Sequence, residues 1–472
     1  MKKERGSITL FSLLALLLTT ATIFALLEGT RLQEMRRFAS LQTEVALESC
    51  FANYNTCLWE NYHLLGADGL SMQEILVRGA NGRVGTGTNL LRLKSEEVEW
   101  KEITRLTDGE GIVYIKNVAS YMKENFVYEV AKATYSNFEA ISEILDSGQL
   151  DLANITEALK ELEQIKEEAV PQSVGLSGSG KGILESAKEW MDSGILELVL
   201  PDTQEVSIGK EEFENGLLER KLEEGNSMEE TAITWADRIL LQQYLLTYMS
   251  NFVEQKGERA LTYEIEYLLG KRNTDIENLE ITVTKLMLIR EACNFLYLLS
   301  SPTRMAQAEA LAVLLIGAST NPVLIEAVKI GILTAWALGE SILDVRALLG
   351  GKKILLIKNE DSWTLELDKI AMLSDTDSNA KDCAMGFGYE TYLGILLLFE
   401  KEQTLAMHAM NLQEATIRKQ TGELGFYLDG LITWAKAEVQ YSYKPVFPFL
   451  QIIDAEERWR NIISATEEYG YY

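Results

Sequence analysis

Apolar positions at the N-terminal end of the chain follow a helical pattern without interruption. Residues 8–27 (ITLFSLLALLLTTATIFALL) carry no charge. A helix of this length, rising about 1.5 Å per residue, matches the roughly 30 Å hydrocarbon core of a bilayer. Beyond it, apolar residues keep a spacing of three to four at Leu32, Met35, Phe38, Leu41 and Val45. The pattern predicts a transmembrane helix that continues into a stalk helix.

The charges around residues 8–27 predict an orientation. Lys2, Lys3 and Arg5 precede the apolar run against the single Glu4, so a cytoplasmic leader and an extracytoplasmic body are favoured. A cleaved secretory signal usually has an apolar region of about 7–15 residues followed by small residues. This run is longer and continues into LEGT. We therefore predict a leader at residues 1–7 and an uncleaved single-pass anchor in the cell membrane.

Residues 28–170 are predicted to hold the stalk helix, a strand and a helical hairpin. Apolar and polar residues alternate at 98–107, which is typical of a strand. Helical spacing covers 115–145 and returns at 152–162, after a break at Ser147-Gly148. The stretch at 171–182 (PQSVGLSGSGKG) is rich in Gly and Ser and is predicted to be a linker.

Residues 183–472 are predicted to form one core domain. Strand patterns occur at 195–200, 261–268 and 435–443, with a β-hairpin at 354–367. Helical patterns occur at 227–253, 274–299, 306–318, 322–349 and 390–421. The first two of these helices begin with capping boxes, and the charges within 322–349 favour a core helix over a second span. Strands and helices do not alternate as βαβ units, so the fold class is α+β with an antiparallel sheet.

Composition limits the possible functions. The net charge of −27 argues against nucleic acid as a partner, because such a chain repels phosphate. His63 and His408 are the two histidines of the sequence, too few for a multi-histidine metal centre. Four cysteines are too few for a disulfide framework, although a bond between Cys293 and Cys383 stays open.

One sequence resembles a phosphate-binding loop. Residues 175–182 match the spacing GxxxxGK. Gly182 stands where the hydroxyl that binds magnesium is needed, and no buried strand precedes the motif. We therefore expect a linker here, and neither a nucleotide nor any other cofactor.

Asp375, Asp377 and Asn379 place oxygen ligands at alternate positions, as in the first half of a calcium loop. Ala380 replaces the required glycine, and Gly386 replaces the bidentate glutamate. This weak candidate metal site leaves open a calcium-dependent surface adhesin.

A second candidate site is a pair of carboxylates. Glu340 and Asp344 are four residues apart near Trp336, on one face of a predicted helix. Such a pair could act as acid and base in an envelope hydrolase. A structural ion pair involving Arg346 explains the same residues, and we assign no catalytic residue.

The N-terminal RGSITLF, with its apolar run and EGTR, resembles TadE/TadG-type pseudopilins. That resemblance implies processing between Gly6 and Ser7, although Phe11 stands where pilins usually carry glutamate. The body resembles an uncharacterised domain family of membrane-anchored clostridial proteins. The residues concerned are FANYNTCLWENYHLLG from Phe51, LTYEIEYLLGKRNTDIENL from Leu261, LIREACNFLYLL from Leu288, WALGESILDVRALLGGKKILLIKNEDSW from Trp336 and GYETYLGILLLF from Gly388.

Together these resemblances imply an envelope role beside Tad-type pilus and secretion components. The expected function is an accessory or minor-pilin-like subunit that is anchored through residues 8–27. It would act through protein–protein contacts with other pilus or secretion components.

Overall fold

The computed structural model describes residues 4–82, 93–125, 194–200, 206–227, 232–316, 322–375, 378–443 and 462–471, with isolated positions between 183 and 190. The chain forms two compact units. Unit 1 combines Met1–Asn117, Glu219–Ile233 and Glu423–Tyr472, and unit 2 combines Val118–Leu218 and Thr234–Gly422. Helices together with a small antiparallel sheet confirm the α+β class. The predicted linker at 171–182 lies outside the described residues, and the predicted domain boundaries stay a prediction.

Unit 1 is built on α1 (Glu4–Phe51), a helix of 48 residues. Its N-terminal half is exposed, and Phe11 and Leu26 have exposed fractions of 74% and 70%. Its C-terminal half is amphipathic, and Met35, Ala39 and Leu47 are buried. The apolar run therefore continues into a stalk without a break, as the sequence predicts.

The sheet of unit 1 is antiparallel, and β3 (Leu431–Tyr443) is its central strand. β2 (Leu93–Arg105) pairs along one side of β3. The short β1 (Ala67–Asp68) and β4 (Ile462–Gly470) pair along the other. The strands predicted at 98–107 and 435–443 are thus confirmed. The unit also contains α2 (Thr56–Tyr62) and α3 (Gly69–Gly82).

The core of unit 1 lies between the sheet and the helices α1 and α3. From Thr433 to Tyr441 every second residue of β3 is buried, including Ala437 and Val439. α3 approaches α1 closely at Gly79, where an added Cβ would lie 2.8 Å from the Cβ of Ala46. The polar residues of the strands point away from this core, because side chains alternate between the two faces of a sheet.

Unit 2 is helical, and its longest helix lies at the centre. The helix α4 (Ile112–Asn125) begins within unit 1 and ends within unit 2. The other helices are α5 (Ile195–Val199), α6 (Trp235–Tyr248), α7 (Glu264–Gly270), α8 (Asp275–Ser300), α9 (Pro302–Ile316), α10 (Pro322–Leu349), α11 (Tyr389–Leu397) and α12 (Glu402–Thr421). α10 packs against α8 and α9 and is largely buried from Val328 onwards. The predicted core helix at 322–349 is confirmed.

Two predicted strands are wrong. Residues 195–200 form the short helix α5, and 264–270 form the helix α7. The alternation in LTYEIEYL did not mark a sheet face, because Glu264 and Glu266 are buried together with the apolar residues between them. An alternation of apolar and polar residues does not identify a strand where the side chains on both faces are buried.

The predicted β-hairpin at 354–367 is also wrong. Ile354 forms one isolated bridge with Phe387. The amides of Thr364 and Leu365 donate to the carboxylate of Glu340, at 3.0 and 2.6 Å, and not to a neighbouring strand. A buried side chain has therefore taken the place of a strand partner.

The start of one predicted helix differs from the structure. The helix predicted from Ser227 begins at Trp235, and the hydroxyl of its capping residue Thr234 accepts from the amide of Asp237. The rest of the capping box predicted at Ser227, residues 228–230, lies outside the described residues. The helices predicted between 390 and 421 are confirmed as α11 and α12, which residues 398–401 separate. The capping residue Thr274 is correct and begins α8.

Candidate functional site

The exposed apolar half of α1 is the first candidate site. It has a mean hydropathy of 2.4 in its most apolar 18-residue window, and none of that window is buried. Its uncharged polar groups are satisfied within the helix, because Ser12 donates to the carbonyl oxygen of Ile8 and Thr20 to that of Leu16, each at 2.9 Å. Hydrocarbon imposes this requirement on a spanning segment. α1 is therefore long and apolar enough to cross a membrane.

The apolar half of α1 ends at an ion pair. Glu28 and Arg31 are one turn apart, and their side chains are 2.7 Å from each other. From Met35 onwards one face of the helix is buried against the rest of unit 1. Gly6 and Ser7 lie near the start of α1, and the processing junction between them stays a prediction.

A network of four buried charges in unit 2 contains the predicted carboxylate pair. Glu340 and Asp344 lie one turn apart on α10, and both form ion pairs with Lys358. The distance from Lys358 Nζ to Asp344 Oδ1 is 2.6 Å. Arg290 on α8 lies 2.9 Å from Asp344 Oδ2, and Asn294 donates to the same oxygen at 2.9 Å.

The two carboxylates have pKa values shifted in opposite directions. Burial raises the pKa of Glu340, although Lys358 acts against this shift. Burial also acts to raise the pKa of Asp344, but the positive charges of Arg290 and Lys358 outweigh it and lower that pKa. Glu340 therefore depends most on its single cation, because Asp344 has a second one.

The network is built as a structural element. The side chains of Glu340 and Asp344 have exposed fractions of 0%, and that of Lys358 is 1%. Two positive and two negative charges balance one another, as burial in protein requires. Carboxylates with shifted pKa values also occur in purely structural networks. The geometry therefore encloses these groups and does not present them to a substrate.

The sequence identified the carboxylates but not their cations. Arg346, the residue expected to pair with them, donates from Nε to the carbonyl oxygen of Leu198 at 2.7 Å. The cations that neutralise the pair come from α8 and from the segment after α10. No local spacing connects Arg290 or Lys358 with Glu340, so only the fold could reveal the network.

A further buried carboxylate was missed because its segment was predicted as a strand. Glu266 accepts from the hydroxyl of Tyr389 at 2.7 Å and from the amide of Phe252 at 2.8 Å. Burial raises the pKa of Glu266 to about 7. Nearby, Glu264 accepts from the amide of Ser250 at 2.8 Å. The two glutamates fix the turn after α6 to the start of α7.

The remaining candidates have limited support. Asp375 ends a 3₁₀ helix (Leu367–Asp375), whereas Asp377 lies outside the described residues. The calcium site at Asp375, Asp377 and Asn379 therefore stays a prediction. Within the described ranges, no three His, Cys, Asp or Glu side chains converge as metal ligands. The motif at 175–182 lies outside them. The four cysteines are free thiols, so the bond between Cys293 and Cys383 is not formed.

These features define a class of chain: an exposed apolar helix, a small sheet unit around its stalk, and a helical unit with a closed polar core. Residues 176–443 match a family of unknown function, DUF5702. The match covers more than half of the 472 residues, so the chain belongs to this family. Comparisons with curated proteins and with solved structures found no match. The expected uncharacterised domain family is confirmed, whereas its association with Tad components stays a prediction.

Proposed function

We propose that this chain is a membrane-anchored, extracytoplasmic accessory or minor-pilin-like component of a Tad-type pilus or secretion apparatus. It acts through protein–protein contacts and is held in the cell membrane as a single-pass protein by residues 8–27. The observation that supports this proposal is the continuity of α1. One helix carries an exposed apolar half and a half that is packed into unit 1.

Continuity matters because it fixes a folded unit to the anchor. The buried residues Met35, Ala39 and Leu47 tie the stalk to the sheet and to α3. Tyr471 after β4 also donates to the carbonyl oxygen of Phe51 at the end of α1, at 2.6 Å. Unit 1 would therefore stand at a defined distance from the bilayer, which an assembly subunit requires and a flexible tether does not provide.

The outer face of the sheet suits contact with protein partners in water. Lys101 forms ion pairs with Glu99 and Glu438, and Lys436 pairs with Glu468 on β4. Such exposed pairs contribute little stability, but they keep the face soluble until a partner covers it. The net charge of −27 argues against nucleic acid as that partner.

The alternatives draw less support. A hydrolase that used Glu340 and Asp344 would need both groups to reach a substrate, and both are buried beside their cations. A calcium-dependent adhesin would depend on the loop at Asp375, where the ligand set predicted from sequence is half complete.

Fractionation and accessibility test the anchor. The chain should stay in the membrane fraction after alkaline carbonate extraction, and protease added to intact spheroplasts should degrade it. Replacement of Leu16 and Leu17 by arginine should release it, because each charge at the bilayer centre costs about 2.5–3.5 kcal/mol. The matched control replaces both leucines by phenylalanine and should stay bound. Full protection of the body in spheroplasts would refute the orientation.

Two measurements test the assembly role. Pull-down from detergent-solubilised native membranes, read by mass spectrometry, should recover pilus or secretion components. Recovery of none of them would contradict the proposal. N-terminal sequencing decides between a processed subunit that begins at Ser7 and a permanent tether that keeps Met1.

A further inference from the structure

The turn that joins α6 to α7 is fixed at its start by two buried carboxylates. We call residues 249–263 the α6–α7 turn. Glu264 on α7 accepts from the amide of Ser250, and Glu266 accepts from that of Phe252, each at 2.8 Å. The start of the turn therefore depends on hydrogen bonds to two side chains of α7.

Three carboxylates of unit 2 lie buried beside the α6–α7 turn. Glu264, Glu266 and Asp275, which begins α8, all have exposed fractions of 0%. Arg259 Nε lies 3.6 Å from Glu264 Oε2. Asp275 accepts three hydrogen bonds, one of them from the amide of Tyr263 at 3.2 Å. Two of the three carboxylates thus have partners that suit a negative charge.

Glu266 differs from the other two. Its Oε1 atom accepts from the hydroxyl of Tyr389 and the amide of Phe252, but its Oε2 atom has no hydrogen-bond partner among the described residues. Burial raises its pKa to about 7, Asp275 acts in the same direction, and no basic side chain is among the largest influences on it. A carboxylate that ionises in a buried position without a cation destabilises the structure that encloses it.

Other groups that face α7 are paired or neutral. Burial lowers the pKa of His408 on α12 to about 4, and this ring bonds to the hydroxyl of Tyr267 at 3.3 Å. At the other end of α7, Lys271 and Lys285 pair with Glu400, at 2.7 and 3.1 Å. The last turn of α6 contains no charged residue. None of these groups provides a cation for Glu266.

The side chains on α11 and in the turn add one further carboxyl group with a raised pKa. Burial raises the pKa of Tyr263 and of Tyr389, so both hydroxyls stay protonated at neutral pH. Glu390 has an exposed side chain. Partial desolvation and the charge of Glu254 raise its pKa, whereas Lys256 acts to lower it. Glu390 therefore provides a matched control for Glu266.

The α6–α7 turn is the part of the structure that can open around Glu266. The helices α7 and α11 are largely buried, whereas residues 253–258 are mostly exposed. Release of the amides of Ser250 and Phe252 would let water reach the carboxylate with little loss of buried surface elsewhere. Phe252, which is 6% exposed, would leave its ring contact with Tyr263.

We propose that the first half of the α6–α7 turn, residues 250–257, is a pH-sensitive switch that is closed while Glu266 carries a proton and opens when this group ionises. The second half stays in place, because Lys419 on α12 donates to the carbonyl oxygen of Arg259 at 2.9 Å. Above neutral pH, unit 2 would therefore present a different surface, with Phe252 accessible. The inference concerns unit 2 alone and does not rest on the anchoring by α1.

Hydrogen–deuterium exchange of the detergent-solubilised full chain at pH 5 and pH 8 tests the proposal. Labelling times are scaled for the intrinsic pH dependence of amide exchange. Peptides that contain 250–257 should lose protection by about 50–100-fold at pH 8, which is the increase in the open population that a rise of the Glu266 pKa from 4.5 to about 7 implies. The loss should be equal in the absence and presence of dilute urea, because a local opening exposes little surface.

Three variants identify the titrating group. Glu266→Gln keeps the shape of the side chain but cannot ionise, so its protection should be the same at both pH values. Tyr389→Phe removes a donor that acts to lower the pKa of Glu266, so the loss of protection should become larger, and this variant gives an independent result if Glu266→Gln does not fold. Glu390→Gln should keep the pH dependence of the wild type.

Three outcomes would overturn the proposal, and none of them bears on the anchor. The first is a loss of protection below about tenfold in the wild type. The second is a loss that persists in Glu266→Gln or disappears in Glu390→Gln. The third is a loss that grows in dilute urea as much as that of peptides from the buried part of α10, which would indicate unfolding of the whole unit.

Discussion

Replacement of Lys358 by methionine tests whether the four-charge network stabilises unit 2. Methionine keeps much of the volume of lysine but removes the cation that Glu340 and Asp344 share. Asp344 keeps Arg290 as a partner. Glu340 keeps the amides of Thr364 and Leu365, but its negative charge becomes uncompensated in a fully buried position.

The expected loss is large because the charge is enclosed. Removal of one partner of a buried ion pair costs about 3–5 kcal/mol. For a domain of this size each kcal/mol lowers Tm by about 2–4 °C, so Lys358→Met should lower it by about 10 °C. When Glu340→Gln is added to Lys358→Met, it removes the uncompensated charge, and the double variant should recover about half of the lost stability. The exposed Lys369 provides the control, since Lys369→Met should change stability by less than about 0.5 kcal/mol.

The pH dependence of the stability of Lys358→Met provides a second test. Without Lys358 the pKa of Glu340 rises further above its unfolded value, so the native state holds a proton that the unfolded state releases. Stability then falls as pH rises from the unfolded pKa towards the folded pKa. The deficit of Lys358→Met should therefore be smaller at pH 5 than at pH 8.

Urea unfolding of the detergent-solubilised full chain gives the measurement. Trp336 and Trp363 both donate to the carbonyl oxygen of Leu365 beside the network, so their fluorescence reports on it. A loss below about 1 kcal/mol, or a deficit that is equal at the two pH values, would refute the view that Lys358 compensates a buried charge.

Three further substitutions test other features. Burial raises the pKa of Glu266 to about 7, so this carboxyl group should contribute a loss of about 3 kcal/mol of stability as the pH rises from 4.5 to 7. Urea titrations at several pH values should show that Glu266→Gln removes this contribution. Gly79→Val should destabilise unit 1 by about 1–3 kcal/mol in thermal unfolding, because it forces α3 away from Ala46. Gly29→Ala is the control and should not destabilise unit 1, because nothing lies within 4 Å of an added Cβ there. Thr274→Ala should cost about 1 kcal/mol, since it removes the cap of α8, and an unchanged urea midpoint would contradict that role.

Long periodic segments were predictable from the sequence, and short enclosed ones were not. α1 and α10 carry helical spacing over many turns, and β3 alternates cleanly because one of its faces is buried and the other is solvated. The segment 261–268 alternates equally well but is enclosed on all sides, so its pattern has no physical link to a sheet. β4 was missed because its short stretch at the end of the chain carries few apolar residues.

The residues of the candidate site were also only partly predictable from the sequence. Glu340 and Asp344 could be found because their spacing of four residues puts them on one face of a helix. Their partners could not, because Arg290 and Lys358 come from other segments and meet them only through packing. The irregular segment at Thr364 and Leu365, whose amides bind Glu340, was predicted as a strand because its partner, a side chain of α10, cannot be read from the local pattern.

The order in which unit 1 receives its strands has a consequence for its folding during synthesis. The partner of β2 is β3, which begins more than 300 residues later, and synthesis proceeds at about 5–20 residues per second. For tens of seconds, therefore, the face of α1 that holds Met35 and Leu47 has emerged without the strands that cover it. Unit 1 is thus the last to be completed, although α1 leaves the ribosome before every other described element. A chaperone would meet this uncovered face of α1 in every newly made chain, and an interrupted chain would leave the face permanently open to proteolysis.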